Sequence, residues 1–332
     1  MLSSSTHLAD ALLNPETVDQ VATRDGFGKG VVRAGEEDVR VVVLCADLAE
    51  STRSHWFKEK FPERYVELGV AEQNMVTVAR GMANYGKIPF VTSYAAFSPG
   101  RCWEQIRTTI ALNEVPVKVM GMHAGVSVGP DGATHQPLED MALMRSMPRM
   151  TVISPCDAVE AEKAVYQSAF TKRPIYIRFG REKTPVMTTE ATPFEIGKAN
   201  LLWEGENPEV ALMATGALVY NALKAAEELA NEGISTLVIN HHTIKPMDEK
   251  AVLDAARRCN AVVSVEEHQV SGGMGSAIAE ILAYNHPAPM EMIGVHDQFG
   301  QSGKPDELIE HYGMGVGSIK EAVHKVRAKK FR

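Results

Sequence analysis

The sequence FPERYVELGVAEQNM, residues 61–75, joins a predicted strand to a predicted helix. Within it, Glu72 follows Gly69 and two apolar residues. The apolar residues from there on recur at helical spacing and predict an amphipathic helix: Met75, Val78, Ala79 and Met82. Glu72 is therefore predicted in the first helical turn, where a carboxylate complements the positive end of the helix dipole. Considered alone, Glu72 is interpreted as a residue that stabilises the helix and has no catalytic role.

Strands alternate with helices on both sides of this stretch. Apolar, β-branched runs predict five strands, at residues 39–45, 88–94, 115–123, 151–154 and 175–179. The first of them, VRVVVLC, is almost continuously apolar, which is typical of a strand buried on both faces of a parallel sheet. The alternation predicts an α/β domain with a doubly wound, mostly parallel sheet.

Polar and aromatic side chains suited to chemistry follow the ends of these strands. In doubly wound sheets, ligands bind beyond the carboxyl ends of the strands. We therefore expect one shared rim to carry Asp47, Glu72, Tyr94, His123 and Arg181.

A second α/β unit follows the first. Periodicity is lost between Arg181 and Pro208, where Pro, Thr and Glu accumulate, and strands alternate with helices again from Val210. The predicted organisation is a first domain at residues 1–190, a linker at 191–208 and a smaller, doubly wound α/β domain at 209–332. A glycine turn at residues 272–275 can hold a phosphate at a helix N-terminus, but close packing is the favoured explanation for it.

Composition limits the classes of function. With 332 residues and a net charge of -8, the chain suggests two domains and argues against nucleic acid as the main partner, although a local basic pocket for a phosphate is compatible with it. The four cysteines are far apart, which predicts reduced, mostly buried thiols. No secretion signal and no apolar run of membrane-spanning length, about 18 residues, is found in the sequence. We therefore expect a cytoplasmic protein without a membrane partner.

Six motifs together resemble the C-terminal half of transketolase, across residues 19–325. ADLAES, GVAEQNM, HAGVSVGPDGATHQP and RFGR are similar to the pyrimidine-binding domain of that family, and EEHQVSGGMGSA and HDQFGQSG to its C-terminal domain. The motifs also resemble the related parts of deoxyxylulose-phosphate synthase and of the β subunits of 2-oxoacid dehydrogenases. The resemblance implies a thiamine-diphosphate enzyme that transfers a two-carbon ketol unit between sugar phosphates, as in the pentose phosphate pathway.

The resemblance implies roles at the cofactor ring. Glu72 matches the glutamate that hydrogen-bonds the aminopyrimidine and activates it, which makes dipole stabilisation the minor explanation. Tyr94 and Phe97 match aromatic residues that flank the pyrimidine, although two core aromatics would be the default explanation for that pair alone. Asp47 and Leu48 match the pair near the thiazolium.

The resemblance also implies a sugar site. His123, Asp131 and His135 match residues that bind ketose hydroxyls and handle protons, with both histidines expected to act in catalysis; a metal site is the minor alternative, because no compact ligand spacing is present. Four further residues match contacts to the substrate, mainly its phosphate: Arg24, Ser51, Arg181 and, as a weaker candidate that could instead pair with a carboxylate, Arg178.

One family motif is absent from the sequence. Transketolases hold the cofactor's diphosphate through Mg²⁺ or Ca²⁺ with a GDG motif and a later Asn, and no GDG occurs in this chain. The resemblance therefore implies a split transketolase in which a partner subunit carries the diphosphate and metal site, with a dimer of heterodimers expected. The alternatives are a 2-oxoacid dehydrogenase β subunit, an enzyme resembling deoxyxylulose-phosphate synthase, and a non-catalytic scaffold. MHAG at residues 122–125, where the synthases usually carry DRAG, favours ketol transfer.

Overall fold

Residues 1–330 are described by a computed structural model, which contains two large sheets and a two-stranded ribbon. The strands are β1 (Gln20–Ala22), β2 (Val41–Cys45), β3 (Tyr65–Glu67), β4 (Ile88–Tyr94), β5 (Lys118–Met122), β6 (Thr151–Ile153), β7 (Ile175–Arg178), β8 (Lys183–Pro185), β9 (Asn200–Glu204), β10 (Val210–Ala214), β11 (Thr236–Asn240), β12 (Thr243–Lys245), β13 (Val262–Gln269) and β14 (Met290–Val295). The helices are α1 (Thr23–Glu37), α2 (Ala49–Thr52), α3 (His55–Lys60), α4 (Glu72–Asn84), α5 (Trp103–Gln105), α6 (Asp140–Arg145), α7 (Ala158–Ala169), α8 (Val219–Asn231), α9 (Glu249–Cys259), α10 (Met274–Asn285), α11 (Pro305–His311) and α12 (Val316–Lys330). In this part of the chain no helix is long and apolar enough to cross a membrane.

The first domain is built on a seven-stranded sheet with the order β12-β6-β7-β5-β4-β2-β3. All neighbouring pairs are parallel except β12 with β6. Alternate residues of β2 enter different cores: Val42 and Leu44 pack with α4, whereas Val41 and Val43 pack with α1 and α7. The sheet is therefore covered on both faces, which explains the unbroken apolar run of β2.

The five predicted strands correspond to β2, β4, β5, β6 and β7. Their ends differ by up to three residues, since β5 begins at Lys118 and not at residue 115. The helix predicted after Trp103 begins as α5 and continues as a π-helix over Ile106–Ala111. The predicted doubly wound α/β class is confirmed.

Helix α1 was not predicted from the sequence. Glycines inside it allow close packing, because a Cβ at Gly26 would overlap the carbonyl oxygen of Ala158, and one at Gly30 would lie 2.7 Å from that of Glu162. Both carbonyls belong to α7. Glycine lowers helix propensity, so the residues that bring α1 against α7 also weaken its sequence signal.

The second domain has a five-stranded sheet with the order β14-β13-β10-β11-β9. Four strands are parallel, and the edge strand β9 is antiparallel to β11. Strand β9 lies within the predicted linker at residues 191–208, so part of that segment is a strand of the second sheet. The exact boundaries at 190 and 209 stay a prediction.

Each domain contributes residues that hydrogen-bond to the sheet of the other. Strand β12 leaves the second domain and pairs with β6 at the edge of the first sheet. Conversely, the N-terminal residues pair with β9, since the Ser3 amide donates to the Leu202 carbonyl at 2.8 Å and the Thr6 hydroxyl donates to the Leu201 carbonyl. The four cysteines are unpaired and buried, as predicted.

Candidate active site

Glu72 lies at the first residue of α4, as its position after the strand β3 predicts. Its side chain is 1% exposed, which is unusual for a carboxylate that only complements a helix dipole. The Ser93 hydroxyl donates to Oε1 at 3.1 Å, and Arg101 Nη1 donates to Oε2 at 3.3 Å. Because the Arg101 side chain is half exposed, a bound group that donates to Oε2 can take its place.

Three aromatic rings lie next to one another, and one of them, Phe97, is linked to this carboxylate through Arg101, whose guanidinium lies 5.0 Å from the centre of the Phe97 ring. Tyr94 and Phe97 are almost parallel, with centroids 6.1 Å apart and 23° between their planes. A third ring between them would require about 7 Å, twice a carbon contact distance of about 3.5 Å. A cofactor ring would therefore contact both from one side. The His135 ring stands edge-on to Phe97, at 5.4 Å and 82°.

His123 is buried directly after β5 and is 2% exposed. Arg24 Nη1 lies 3.1 Å from His123 Nε2, and His123 Nδ1 is buried without a partner among residues 1–330. Burial, followed by the nearby charges of Arg24 and Arg181, lowers the pKa of His123 to about 3. The ring is therefore neutral at physiological pH, and since a guanidinium cannot accept, Nδ1 is assigned the proton.

The loop at residues 125–138 carries Asp131 and His135. Arg181 Nη1 donates to the Val128 carbonyl at 2.8 Å and lies 3.4 Å from Asp131 Oδ1, which fixes the arginine beside the loop. His135 Nδ1 lies 2.9 Å from the Thr134 hydroxyl. Within residues 1–330 no cluster of three or more His, Cys, Asp or Glu side chains is placed to hold a metal ion.

Arg24 lies in the first turn of α1, and its Nη1 also donates to the Ser51 carbonyl at 2.9 Å. Burial, then repulsion from Arg53, lowers the pKa of Arg24. A cavity of about 640 Å³ opens here, and its lining includes four acidic side chains, Asp25, Glu182, Asp306 and Glu307, and five basic ones, Arg24, Arg53, Arg181, Lys183 and Lys304. Arginine and lysine are the residue types that bind phosphate, so this cavity can receive the anionic end of a substrate.

Asp47 and Leu48 occupy the turn after β2, on the same edge of the sheet. Asp47 is exposed and has a positive φ of 58°, and its amide donates to Glu67 Oε1 at 2.8 Å. The same oxygen accepts from the amides of Leu68 and Gly69. Glu67, at the end of β3, therefore holds the Asp47 turn next to the start of α4.

Arg178 is placed differently from the other predicted substrate residues. It is 7% exposed; its Nε donates to Asp140 Oδ2 at 2.9 Å, and its Nη2 donates to the Glu267 carbonyl at 2.8 Å. These contacts join β7 to α6 and to the second domain. The alternative that Arg178 pairs with a carboxylate fits this geometry better than the predicted contact with substrate.

Residues 19–187 match the transketolase pyrimidine-binding domain, and residues 197–319 match the transketolase C-terminal domain. The chain belongs to the transketolase family. It is 41% identical to a protein of Methanocaldococcus jannaschii described as a transketolase C-terminal section, over 90% of this chain and 94% of the relative. It is also 40% identical to the 6-deoxy-6-sulfo-D-fructose transketolase subunit of Clostridium sp., over 92% of this chain and 95% of the relative.

A solved transketolase-family structure, titled "Split gene transketolase, inactive beta4 tetramer", matches this fold with a TM-score of 0.87 at 41% identity and covers 93% of this chain and 99% of that chain. Longer transketolases are matched over part of their length: this chain covers 50% of the rat enzyme at 36% identity. These matches confirm the predicted family resemblance and the predicted fold.

Several residues of this transketolase-family site were not predicted. Ser93 and Arg101 contact Glu72, Glu67 supports the turn at Asp47, and Arg53 lines the basic cavity. Ser93 precedes Tyr94 in β4, so its side chain points to the opposite face of the strand, towards α4. The alternation within β4 was available as a signal for Ser93, whereas Arg53 and Arg101 lie in turns without a pattern.

Proposed function

We propose that this chain is one subunit of a two-chain transketolase, in which it binds the aminopyrimidine end of thiamine diphosphate and the sugar substrate. The reaction is transfer of a two-carbon ketol unit from a ketose phosphate to an aldose phosphate. The buried Glu72 carboxylate at the start of α4, linked through Arg101 to the Phe97 ring, carries this proposal. Coverage of nearly the whole length of two separate-chain relatives supports it.

The residues present fit the cofactor ring. Glu72 Oε2 is buried and accepts from the half-exposed Arg101, so a ring nitrogen bearing a proton can replace that contact. Tyr94 and Phe97 supply an aromatic surface, and Asp47 and Leu48 lie at the adjoining turn. When bound, thiamine diphosphate would stabilise the negative charge left on the former carbonyl carbon of the ketose when the neighbouring carbon–carbon bond breaks. Glu72 would hold the aminopyrimidine in its activated tautomer.

The two histidines have different roles at the sugar. His123 is neutral and carries its proton on Nδ1. Because this atom is buried in the chain alone, the side chains that cover it must move before Nδ1 donates a hydrogen bond to a sugar oxygen. His135 is only partly buried, and Thr134 occupies its Nδ1, which leaves Nε2 for proton exchange with a hydroxyl. Asp131, at the mouth of the site, accepts from a further sugar hydroxyl.

The basic cavity would bind the terminal anion of the sugar. Arg24 and Arg181 are each fixed by a backbone carbonyl and retain further donors. Ser51, whose carbonyl positions Arg24, remains part of this proposed site. One relative is named for a sulfonated fructose, so the terminal anion of the substrate is phosphate or sulfonate, and the cavity's cations suit both.

The partner in this proposal is a subunit with the GDG motif, which binds the diphosphate through Mg²⁺ or Ca²⁺. The complete enzyme is a cytoplasmic dimer of heterodimers. The solved relative titled as an inactive β4 tetramer supports self-association and inactivity of this type of subunit when it is alone. The 2-oxoacid dehydrogenase alternative is not favoured, because both domains match transketolase.

The decisive experiment mixes the purified chain with the GDG-containing subunit, thiamine diphosphate and Mg²⁺. Transfer of two-carbon units to an aldose phosphate is measured from xylulose 5-phosphate and, in parallel, from 6-deoxy-6-sulfofructose. Activity should require both chains, and this chain alone should bind the cofactor weakly. Full activity of this chain alone, or none from the mixture with either donor, would overturn the proposal.

A further inference from the structure

The loop at residues 125–138, which carries Asp131 and His135, is held by the second domain along its whole length. At its start, Glu267 Oε1 accepts from the Ser127 amide at 2.6 Å. At its end, the Gln269 amide donates to the Leu138 carbonyl at 2.9 Å. Both of these partners belong to β13 of the second domain.

Gln136 makes the central connection. It follows His135 directly and is 3% exposed, which is uncommon for an uncharged amide in a surface loop. Its Nε2 lies 3.1 Å from the Val126 carbonyl and 3.0 Å from the Gly129 carbonyl within the loop. The same nitrogen lies 3.0 Å from the Gln301 carbonyl in the second domain.

The backbone of the second domain approaches this loop too closely for side chains. Gly129 and Gly132 have φ values of 80° and 75°, and a Cβ at Gly132 would lie 2.7 Å from the Ser302 hydroxyl. A Cβ at Gly300 would overlap Gln136 Oε1. The segment at residues 299–305 therefore fits against the loop as a fixed surface.

We infer that the second domain shapes the sugar-binding loop and that Gln136 is the positioning residue through which it does so. This inference rests on the proposed function, because it assigns the second domain a task in sugar binding. Gln136 does not touch the sugar; it fixes the backbone on either side of Asp131 and His135. The residues at the cofactor ring, Glu72 and Tyr94, lie on α4 and β4, outside the contacts that Gln136 makes with the second domain (the clasp), and Tyr94 meets the loop at the edge of the His135 ring.

The test uses Gln136→Met, which keeps side-chain volume and removes the donor, in the complete two-subunit complex. Amide hydrogen exchange across residues 126–135 should rise, since three carbonyl contacts are lost. The KM for the ketose donor should rise, with kcat/KM falling by up to about 10²-fold, the effect of a displacement of about 1 Å at a reacting site. The dissociation constant of thiamine diphosphate should not change.

Gly300→Ala is a second variant for the same test, because its added methyl group displaces the Gln136 side chain without removing it. It should produce the same rise in exchange and in KM. Lys245→Met is the matched control: Lys245, on the strand β12 that pairs with β6 of the first sheet, donates from Nζ to the carbonyls of Arg145 and Met147, outside the loop. This control should leave both the exchange of the loop and the KM unchanged.

Unchanged exchange in the loop in both Gln136→Met and Gly300→Ala would overturn the inference, as would an equal rise in Lys245→Met. Raised exchange with an unchanged donor KM would also overturn it, since the clasp would then be structural only. If the wild-type complex transferred no ketol unit, the proposed function would fail. Raised exchange in Gln136→Met and Gly300→Ala, but not in Lys245→Met, would still support the clasp.

Discussion

The imidazole of His123 stacks on the phenol of Tyr94, with ring centroids 4.1 Å apart and 24° between their planes. A residue assigned to the sugar and a residue assigned to the cofactor ring therefore share one continuous surface. His123 adopts a positive φ of 55°, which costs a non-glycine residue on the order of 1 kcal/mol. Arg24 on the far side of the ring fixes its orientation, so Nδ1 is presented in one direction.

Replacement of His123 or His135 by alanine should reduce ketol transfer by at least about 10²-fold, the contribution of one acid–base or donor group. Cofactor binding should persist, because Glu72 and Phe97 are untouched. Initial rates with the partner present and cofactor titrations would measure both effects. Loss of a stoichiometric metal ion from either variant would show instead that the histidines are metal ligands.

Glu72→Ala should abolish transfer and leave the two-subunit complex assembled. A carboxylate that only complemented a helix dipole would contribute about 0.3–1 kcal/mol of stability and no catalysis. Glu249→Ala is the control, because Glu249 is an exposed acid in the first turn of α9. It should lose a little stability and no turnover. Near-normal turnover in Glu72→Ala, measured with saturating thiamine diphosphate, would contradict the role proposed for the carboxylate.

Arg181→Ala should raise the KM for phosphorylated donors far more than for unphosphorylated analogues. The loss of a hydrogen bond from a charged donor corresponds to about 1.5–3 kcal/mol. Steady-state kinetics with a matched pair of donors would measure the difference. An equal loss on both donors would remove Arg181 from the phosphate site.

Arg178→Ala should behave in a different way, because it leaves the Asp140 carboxylate buried without its cation. Breaking a buried pair in this manner costs about 3–5 kcal/mol of stability. We expect a lower urea midpoint and reduced yield of folded protein, with no preference between phosphorylated and unphosphorylated donors in the protein that folds. A selective KM effect without destabilisation would return Arg178 to the substrate site.

His241→Phe should make the protein less sensitive to acid. His241 is 1% exposed, and neither ring nitrogen has a partner in the part of the chain that the structure describes. Burial lowers its pKa to about 4. Between pH 6.5 and 4 the unfolded chain binds a proton at this residue that the folded chain does not, so stability is lost as the pH falls. The free energy of unfolding lost in this way between pH 7 and pH 5 is about 2 kcal/mol. The difference between the urea midpoints at pH 7 and pH 5 should be smaller in the variant than in the wild type. An equal difference in the two proteins would contradict the burial argument.

The sequence predicted the strands of the first sheet because their signal is local. Residues 41–45 are apolar without a break, and both faces of β2 are buried. Strand β12 could not be predicted in the same way, since three residues carry no information about which sheet they join. Helix α1 escaped detection for a physical reason: its glycines are required by α7 and lower the helical signal.

At the site, two arginines that the resemblance assigned to the substrate phosphate lie in different surroundings in the structure. Arg178 and Arg181 occur in one four-residue motif, yet Arg178 ends β7 and faces the buried Asp140, whereas Arg181 follows the strand and reaches the basic cavity. Only the three-dimensional position of Asp140, almost forty residues earlier, distinguishes them. Gln136 was absent from the predicted site for a similar reason, because its partner Gln301 lies in the other domain.

The pairing of β12 with β6 has a practical consequence for anyone who divides this chain at residue 208. The fragment that contains Glu72 and His123 would lose β12 and present the backbone groups of β6 along an open sheet edge. Such an edge recruits extended segments from other molecules, so the shortened protein should precipitate or form strand-exchanged oligomers. Any attempt to transplant this half-site into another enzyme must therefore carry residues 243–245 with it.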